Sequence, residues 1–573
     1  MNRSRRKFLK NIPGMLGAMS IPFSVAGVPV NLMGENAFTR MARASLGNDR
    51  VLIILQMHGG NDGLNCLIPV SEYELYYSKR ANIAIPAKNS LRKYIPLDST
   101  LAPDTQVGLH PDMQAMKAMY DQGRVTMVQG VSYKNNNGSH FRGRDIQFMG
   151  GAADEYLQSG WVGRYLEGEI APKKYPEDFP NAEMPDPLAI EMGSDVSLIF
   201  HQEGNIPTSI SLDSPQEFAD LVGGLEGFID EAVDPRGIPP GYLEDSPYYN
   251  ELEWILSLED KSKDYAARLA EVFQAGSKIA GNKNYPQTYP FNAPKGSLHN
   301  PLSWQLDIIA RLLSGGCKTK VFLVKIGGFD THADQVESYD PTMGSHAALM
   351  YHISTAMSAF QEDLRIRGLE DRVMTITTSE FGRRIYSNGS YGTDHGTGGP
   401  MFIFGKGVKP GVVGKVPDMT KGNVEMQFDH RLIYGNIVKD WFMVNETKLN
   451  DVFPGLTSAA GTSDGVKFQQ LPLVSEVITG TDDFIGERFS LEECHPNPAK
   501  EKTTVRFRIN SANHVSINLF DKQGRQVGVW VNDTYAPGEH KVDVDVTNLP
   551  AGNYIYQLKS GFFKDSKKLV ITK

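Results

Sequence analysis

The sequence predicts an α/β domain, with a mostly parallel sheet and helices on both faces, followed by a small all-β immunoglobulin-like sandwich at the C terminus. Three observations predict it. Short apolar runs recur through most of the chain, helix-period apolar stripes lie between them, and beyond residue 487 the pattern changes to strict alternation.

The runs come first. Val51-Leu52-Ile53-Ile54-Leu55 has no polar residue of either parity. That is the signature of a strand covered on both faces, because neither set of side chains meets water. Val125–Val128, Val321–Val324, Val373–Ile376 and Met401–Phe404 are further strands of the same sheet. Between them, Leu349, Ile353, Met357, Phe360 and Leu364 fall on one helical face. Trp304, Ile308 and Leu312 form a second stripe that stops at Gly315-Gly316. Buried strands alternating with helices make a sheet clad on both sides. Residues 151–300 are rich in Pro and Gly and less regular, and read as an insertion or cap with one helix near 248–275.

The C-terminal alternation is carried by Val505–Ile509, Val515–Leu519 and Val542–Val546, with Tyr554–Tyr556 and Leu569–Ile571 as further strand material. Period-two patterning buries one face of an antiparallel sheet. Asp521-Lys522-Gln523-Gly524 and Pro537-Gly538 supply turns. Six or seven short strands in this length predict the sandwich. The chain therefore divides into an export-signal region over 1–48, the α/β domain over 49–470, a linker over 471–486 and the β module over 487–573.

Ser4-Arg5-Arg6-Lys7-Phe8-Leu9-Lys10 and the moderately apolar stretch Ile12–Leu32 after it form a twin-arginine export signal, and Gly14, Gly17, Pro22 and Pro29 argue against a stable spanning helix. Ala42-Arg43-Ala44 is one candidate for a small-x-small cleavage site. No other segment is apolar enough to span a bilayer, so the mature chain is expected to have no stable transmembrane segment. A formal net charge of −9 with no basic stripe excludes a nucleic-acid binder. Cys66, Cys317 and Cys494 are widely spaced and odd in number, and read as small buried residues rather than a disulfide framework.

In open α/β sheets, ligands bind beyond the carboxyl ends of the strands. His58-Gly59-Gly60-Asn61-Asp62, Ser139-His140-Phe141, Phe329-Asp330-Thr331-His332 and Ser379-Glu380-Phe381-Gly382-Arg383 each follow a strand, and Thr393-Asp394-His395 immediately precedes one. Carboxylates and imidazoles gathered on one rim suit zinc or another divalent ion with mixed oxygen and nitrogen ligands. Ser139 at a helix start would be a sensible nucleophile in an anion-favouring position. Arg142, Arg144 and Arg383 could grip an anionic group through paired donors. Taken singly, Asp62 and Ser139 read equally as helix caps, Arg383 as an ion-pair residue, His346 and His352 as packing or surface residues, and His58 as an orienter of its loop.

Two resemblances sharpen this. Gly59–Asn65, Ser139-His140-Phe141, Gly327–His332, Ser379–Arg383 and Asp394-His395, in that order, resemble domain-of-unknown-function family 1501, itself similar to the alkaline phosphatase and sulfatase superfamily. His495-Pro496-Asn497-Pro498-Ala499, Leu549–Tyr554 and Lys568–Ile571 resemble the C-terminal sorting domain of type IX secretion. The first resemblance implies an alkaline-phosphatase-like fold and a secreted, metal-dependent hydrolase of phosphate or sulfate esters. Ser139, His140 and Arg383 would be its catalytic side chains, and Asp62, Asp330, His332, Glu380, Asp394 and His395 its ligands to a divalent metal, zinc ahead of calcium, magnesium or manganese. The second implies export through the periplasm to the outer-membrane secretion machinery, and a secreted or cell-surface location. Two departures stand out: Asp330-x-His332 is shorter than the superfamily's Asp-x-x-x-His, and Phe381 stands where an imidazole ligand is expected. They motivate the alternative of a non-catalytic surface or binding protein of hydrolase ancestry.

Overall fold

The computed structural model describes residues 49–193, 196–212, 214, 264–475 and 490–573, the last without 510–512, 523–524, 536–537 and 561–562, together with two short strands, Phe23–Val25 and Val28–Val30. The arginine pair and the Ala42-Arg43-Ala44 site fall outside them. Residues 49–475 and the described residues of 490–573 fall in two different compact units.

The larger unit is built on a nine-stranded sheet. In chain order its strands are β1 (Val51–Met57), β2 (Val125–Ser132), β3 (Ala189–Met192), β4 (Ser209–Leu212), β5 (Val321–Ile326), β6 (Val373–Thr378), β7 (Gly399–Phe404), β8 (Gly411–Val413) and β9 (Phe428–Asp429). Across the sheet they run β8-β2-β7-β6-β1-β5-β3-β4, with β9 also pairing β2. Only β7 is antiparallel to its neighbours β6 and β2. All five strands read from apolar runs are present. The short β3 and β4 come from the segment read as an insertion, so part of 151–300 belongs to the sheet itself. Residues 264–277 are helical, while the earlier part of the helix expected at 248–275 lies outside the described residues.

β1 explains the layering. Val51, Ile53, Leu55 and Met57 enter one core, while Leu52 and Ile54 enter the other. A strand sends successive side chains to opposite faces, so an unbroken apolar run needs a cover on each side. The first cover comprises α1 (Gln114–Asp121), α4 (Leu302–Ser314) and α5 (Ser345–Ile366), and the whole stripe Leu349, Ile353, Met357, Phe360 and Leu364 is buried there. The second comprises α3 (Trp161–Ile170), α6 (His430–Asn436) and α7 (Glu446–Val452). α2 (His140–Met149) starts at the strand-end rim. Burying one leucine or phenylalanine here contributes about 1.5–3 kcal/mol.

Among the described residues, the C-terminal segment has seven strands: β10 (Ser490–Leu491), β11 (Lys502–Ile509), β12 (Asn513–Phe520), β13 (Gln526–Tyr535), β14 (Gly538–Asp545), β15 (Gly552–Ser560) and β16 (Phe563–Ile571). They form two antiparallel sheets, β10-β11-β14 and β13-β12-β15-β16. Val505, Phe507 and Val544 of the first sheet share a core with Ile517, Leu519, Tyr556 and Leu558 of the second. Trp530 packs against that core with its ring 5.6 Å from Tyr556. Cys66, Cys317 and Cys494 are all free and buried. No described helix is long and apolar enough to cross a membrane.

Candidate metal and catalytic site

The rim is assembled at the carboxyl ends of β1, β2, β5 and β6. Because β7 is antiparallel, the residues entering it, Thr393-Asp394-His395, arrive at the same edge. His395 lies on a short strand paired with Arg383, just beyond β6. Close approach of these loops needs two glycines with positive φ. A Cβ on Gly59 (φ +122°) would stand 2.3 Å from the Asp330 amide nitrogen, and one on Gly60 (φ +78°) 2.3 Å from the Phe381 ring.

Asp330, His332, His395 and His140 come together. The Nε2 atoms of His332 and His395 are 2.8 Å apart. Asp330 Oδ1 lies 3.2 Å from His332 Nε2 and 3.4 Å from the Nε2 atoms of His395 and His140. Nδ1 of His395 is 2.7 Å from the Gly138 carbonyl oxygen, which can only accept. That nitrogen therefore carries the proton, and a neutral His395 presents a bare Nε2 to the cluster. Nδ1 of His332 faces the Asp394 carboxylate at 3.5 Å, so Asp394 stands behind His332. Both ring nitrogens of His140 are buried without a hydrogen-bond partner, and burial lowers its pKa. Burial pushes the Asp330 carboxyl up, but the Arg383 hydrogen bond and nearby positive charge outweigh it and hold it below the ordinary aspartate value.

Other expected site residues sit behind this cluster. Glu380 is buried and accepts from the backbone N–H groups of Gly59 and Gly60 at 3.0 Å, and its Oε1 is 2.7 Å from His58 Nδ1. Burial opposes its charge, yet the His58 hydrogen bond and the Gly59 N–H hold it below the ordinary glutamate value. The same hydrogen bond raises His58, whose side chain is 51% exposed. From the sequence, His58 is expected only to orient its loop; its one signal is its place at the end of β1.

Arg383 is expected to grip substrate, but it is 1% exposed. Its guanidinium donates to the carbonyls of Gly59, Gly60, Phe329 and Thr393 and to Asp330 Oδ1 at 2.7 Å. Those bonds occupy it in fixing the loops. Arg142 donates to the Ala153 and Glu155 carbonyls and lies over Tyr156. Arg144 stays at the surface beside Asp145.

Asp62 is also set apart from the cluster. It is fully buried, pairs with Arg80 at 2.8 Å and caps the short Gly63–Cys66 helix. Arg80 carried no sequence signal, being one arginine at the end of the tyrosine-rich helix Tyr73–Lys79. Ser139 is half-buried and caps α2, its Oγ accepting from the Arg142 N–H at 3.4 Å. The imidazole of His140, one residue on, enters the cluster. Phe381, where the superfamily resemblance leads one to expect an imidazole, packs its ring 4.5 Å from His395 and 4.9 Å from His140. His346 and His352 are buried, bonded to Asn61 and to the Ser297 carbonyl.

Residues 305–451 match the family described as protein of unknown function (DUF1501), and residues 493–572 match the secretion system C-terminal sorting domain. Both resemblances read from the motifs are thus met, and the sorting domain marks the chain for export to the cell surface or beyond. No curated protein matches it significantly. Among solved structures, dimeric latent PorU from Porphyromonas gingivalis is similar at 20% identity and TM-score 0.13, over 14% of this chain and only 9% of PorU's own length. A protein in the alkaline phosphatase superfamily from Vibrio parahaemolyticus is similar at 10% identity and TM-score 0.27, over 84% of this chain and 82% of that one. Alkaline phosphatase from the Antarctic bacterium TAB5 is similar at 12% identity and TM-score 0.23, over 62% of this chain and 91% of that one.

Proposed function

We propose that this exported chain is a metal-assisted hydrolase of phosphate- or sulfate-type esters, with a single divalent ion at the rim. One observation carries the reading: His395 Nε2 faces His332 Nε2 at 2.8 Å and Asp330 Oδ1 at 3.4 Å, while its Nδ1 is turned to the Gly138 carbonyl. Lone pairs this close repel one another unless a proton or a metal ion lies among them.

The residues fit an ion. His140, Asp330 and His395 each offer one ligand atom, all within 4.8 Å of one another, and the ring nitrogens of His140 make no hydrogen bond that a metal would have to displace. With His332 the donor set is three imidazoles and a carboxylate, which suits zinc. Gly138 orients His395 from behind, and Asp394 backs His332, as outer-shell partners of metal-bound imidazoles do. Bound there, the ion would polarise the ester and stabilise developing negative charge. Ser139, at the N-terminus of α2, supplies a hydroxyl beside helix N–H groups that favour an anion. His58, held by Glu380, keeps an exposed imidazole that can carry a proton at the mouth. The twin-arginine motif would take the folded, metal-loaded chain into the periplasm before type IX export.

Phe381 favours a second reading. Its buried ring closes one side of the rim, where a second ion would need an imidazole. A surface-binding protein with a remnant site would retain this packing without turnover. The test is metal analysis of chain purified without chelators, with p-nitrophenyl phosphate and sulfate assayed before and after chelation. Bound zinc with chelator-sensitive hydrolysis is expected. Absence of both overturns the enzyme reading and leaves the second.

A further inference from the structure

Two loops bring the cluster together, one carrying Asp330 and His332 and the other His395. Besides Arg383, which bonds Phe329, Asp330 and Thr393, a second fully buried side chain, Gln335, joins them. Its Oε1 accepts from the hydroxyls of Thr331 at 2.9 Å and Thr393 at 3.0 Å, and its Nε2 donates to Asp62 Oδ2 at 2.6 Å. Thr331 lies between Asp330 and His332, and Thr393 is two residues before His395. The Thr393 N–H also donates to the Thr331 carbonyl at 3.1 Å.

The orientation of the amide is dictated from behind. Asp62 is buried but pairs with Arg80, and the positive charge there holds its carboxyl low despite burial. An ionised carboxylate only accepts, so the NH2 end of Gln335 must face it and the oxygen must face the two threonines. Arg80 is fixed in turn by the carbonyls of Arg384 and Ile385 and by Asn65.

From this we infer that Gln335, oriented by the Asp62–Arg80 pair, is a positioning residue that, together with Arg383, holds the His332 and His395 segments in register for the ion. This rests on the metal reading above, and it gives Asp62 the role of an outer support in place of the ligand role. A buried, fully satisfied network of this kind costs more to disturb than its separate bonds suggest.

The test uses the full chain labelled with 15N-histidine, as Gln335→Met and as the double variant Thr331→Val with Thr393→Val. Tyr434→Phe is the control, since it removes buried hydrogen bonds to Gln147 and Thr378, away from the loops. Expected in both variants are shifted ring resonances of His332 and His395 and, after chelator stripping, zinc affinity weaker by about 10–100-fold. The control should lose comparable thermal stability and keep both properties. If one variant fails to fold, the other carries the same readouts. Ring resonances that keep their positions overturn the inference, whatever the zinc affinity. If the parent takes up no zinc, the metal reading fails, and the ring resonances alone decide whether Gln335 positions the two loops.

Discussion

The Nε2 atoms of His332 and His395 stand 2.8 Å apart although 63 residues separate them in the chain. Neither ring is placed by a helix or by a strand of the central sheet. His332 sits on a loop and His395 on a three-residue strand outside that sheet, both tied to buried groups, and the properties of the rim follow from those ties.

The first prediction concerns the ion. Zinc at about 100 times its dissociation constant should raise stability by about 2.7 kcal/mol. His395→Ala and Asp330→Asn should each abolish most of that gain. Thermal denaturation of the chelator-stripped chain, with and without zinc, measures it; equal zinc-dependent shifts in parent and variants would show that these residues hold no ion.

Asp62 and Arg80 are both fully buried, so removing one partner leaves a charge in a site without water. Asp62→Ala should destabilise by about 3–5 kcal/mol even in metal-free protein. Denaturant titration in the presence of chelator checks this. A loss seen only in metal-loaded protein would instead make Asp62 a ligand.

Gly59 is irreplaceable for a steric reason. Gly59→Ala would bring a Cβ against the Asp330 backbone and require a φ that L side chains rarely adopt. Zinc affinity should fall together with stability, whereas Gly296→Ala, whose Cβ meets nothing within 4 Å, should leave both near parental values.

Acid should destabilise the larger unit before its carboxylates protonate. Burial lowers His346 and His430 to about 4 and lowers His110 and His352 as well. Below the unfolded value near 6.5 the unfolded chain binds protons that the folded chain refuses. Stability is therefore full above that pH and falls as the pH drops from 6.5 toward 4, by about 1.4 kcal/mol for each pH unit by which an imidazole is displaced. His58 contributes in the opposite sense: raised by Glu380, its share is present below 6.5 and is lost as the pH climbs through its folded value. Melting temperatures at pH 7.5 and 5 should differ clearly; a flat profile would contradict the buried neutral imidazoles.

Much of the fold was legible because its patterns are local. Val51–Met57 announces two covered faces, Leu349–Leu364 announces a helix lying on one of them, and Val505–Ile509 announces a sheet with a single buried face. β3 and β4 were not legible. At four residues each, AIEM and SISL, they are too short for periodicity to show, and they are strands only because β5 offers an edge to β3 and β3 offers one to β4.

By itself, the sequence determined the layers, the C-terminal sandwich, the secretion address and the rim to which Asp330, His332 and His395 belong, since each depends on residue order along a strand and its end. The tertiary structure alone decided which polar groups meet. Asp62 turned inward because Arg80, 18 residues away, satisfies it in a dry interior, Arg383 was taken up by loop carbonyls, and Glu380 by His58. A buried charge is settled by the nearest partner that can neutralise it, and nearness in space is a property of the folded chain.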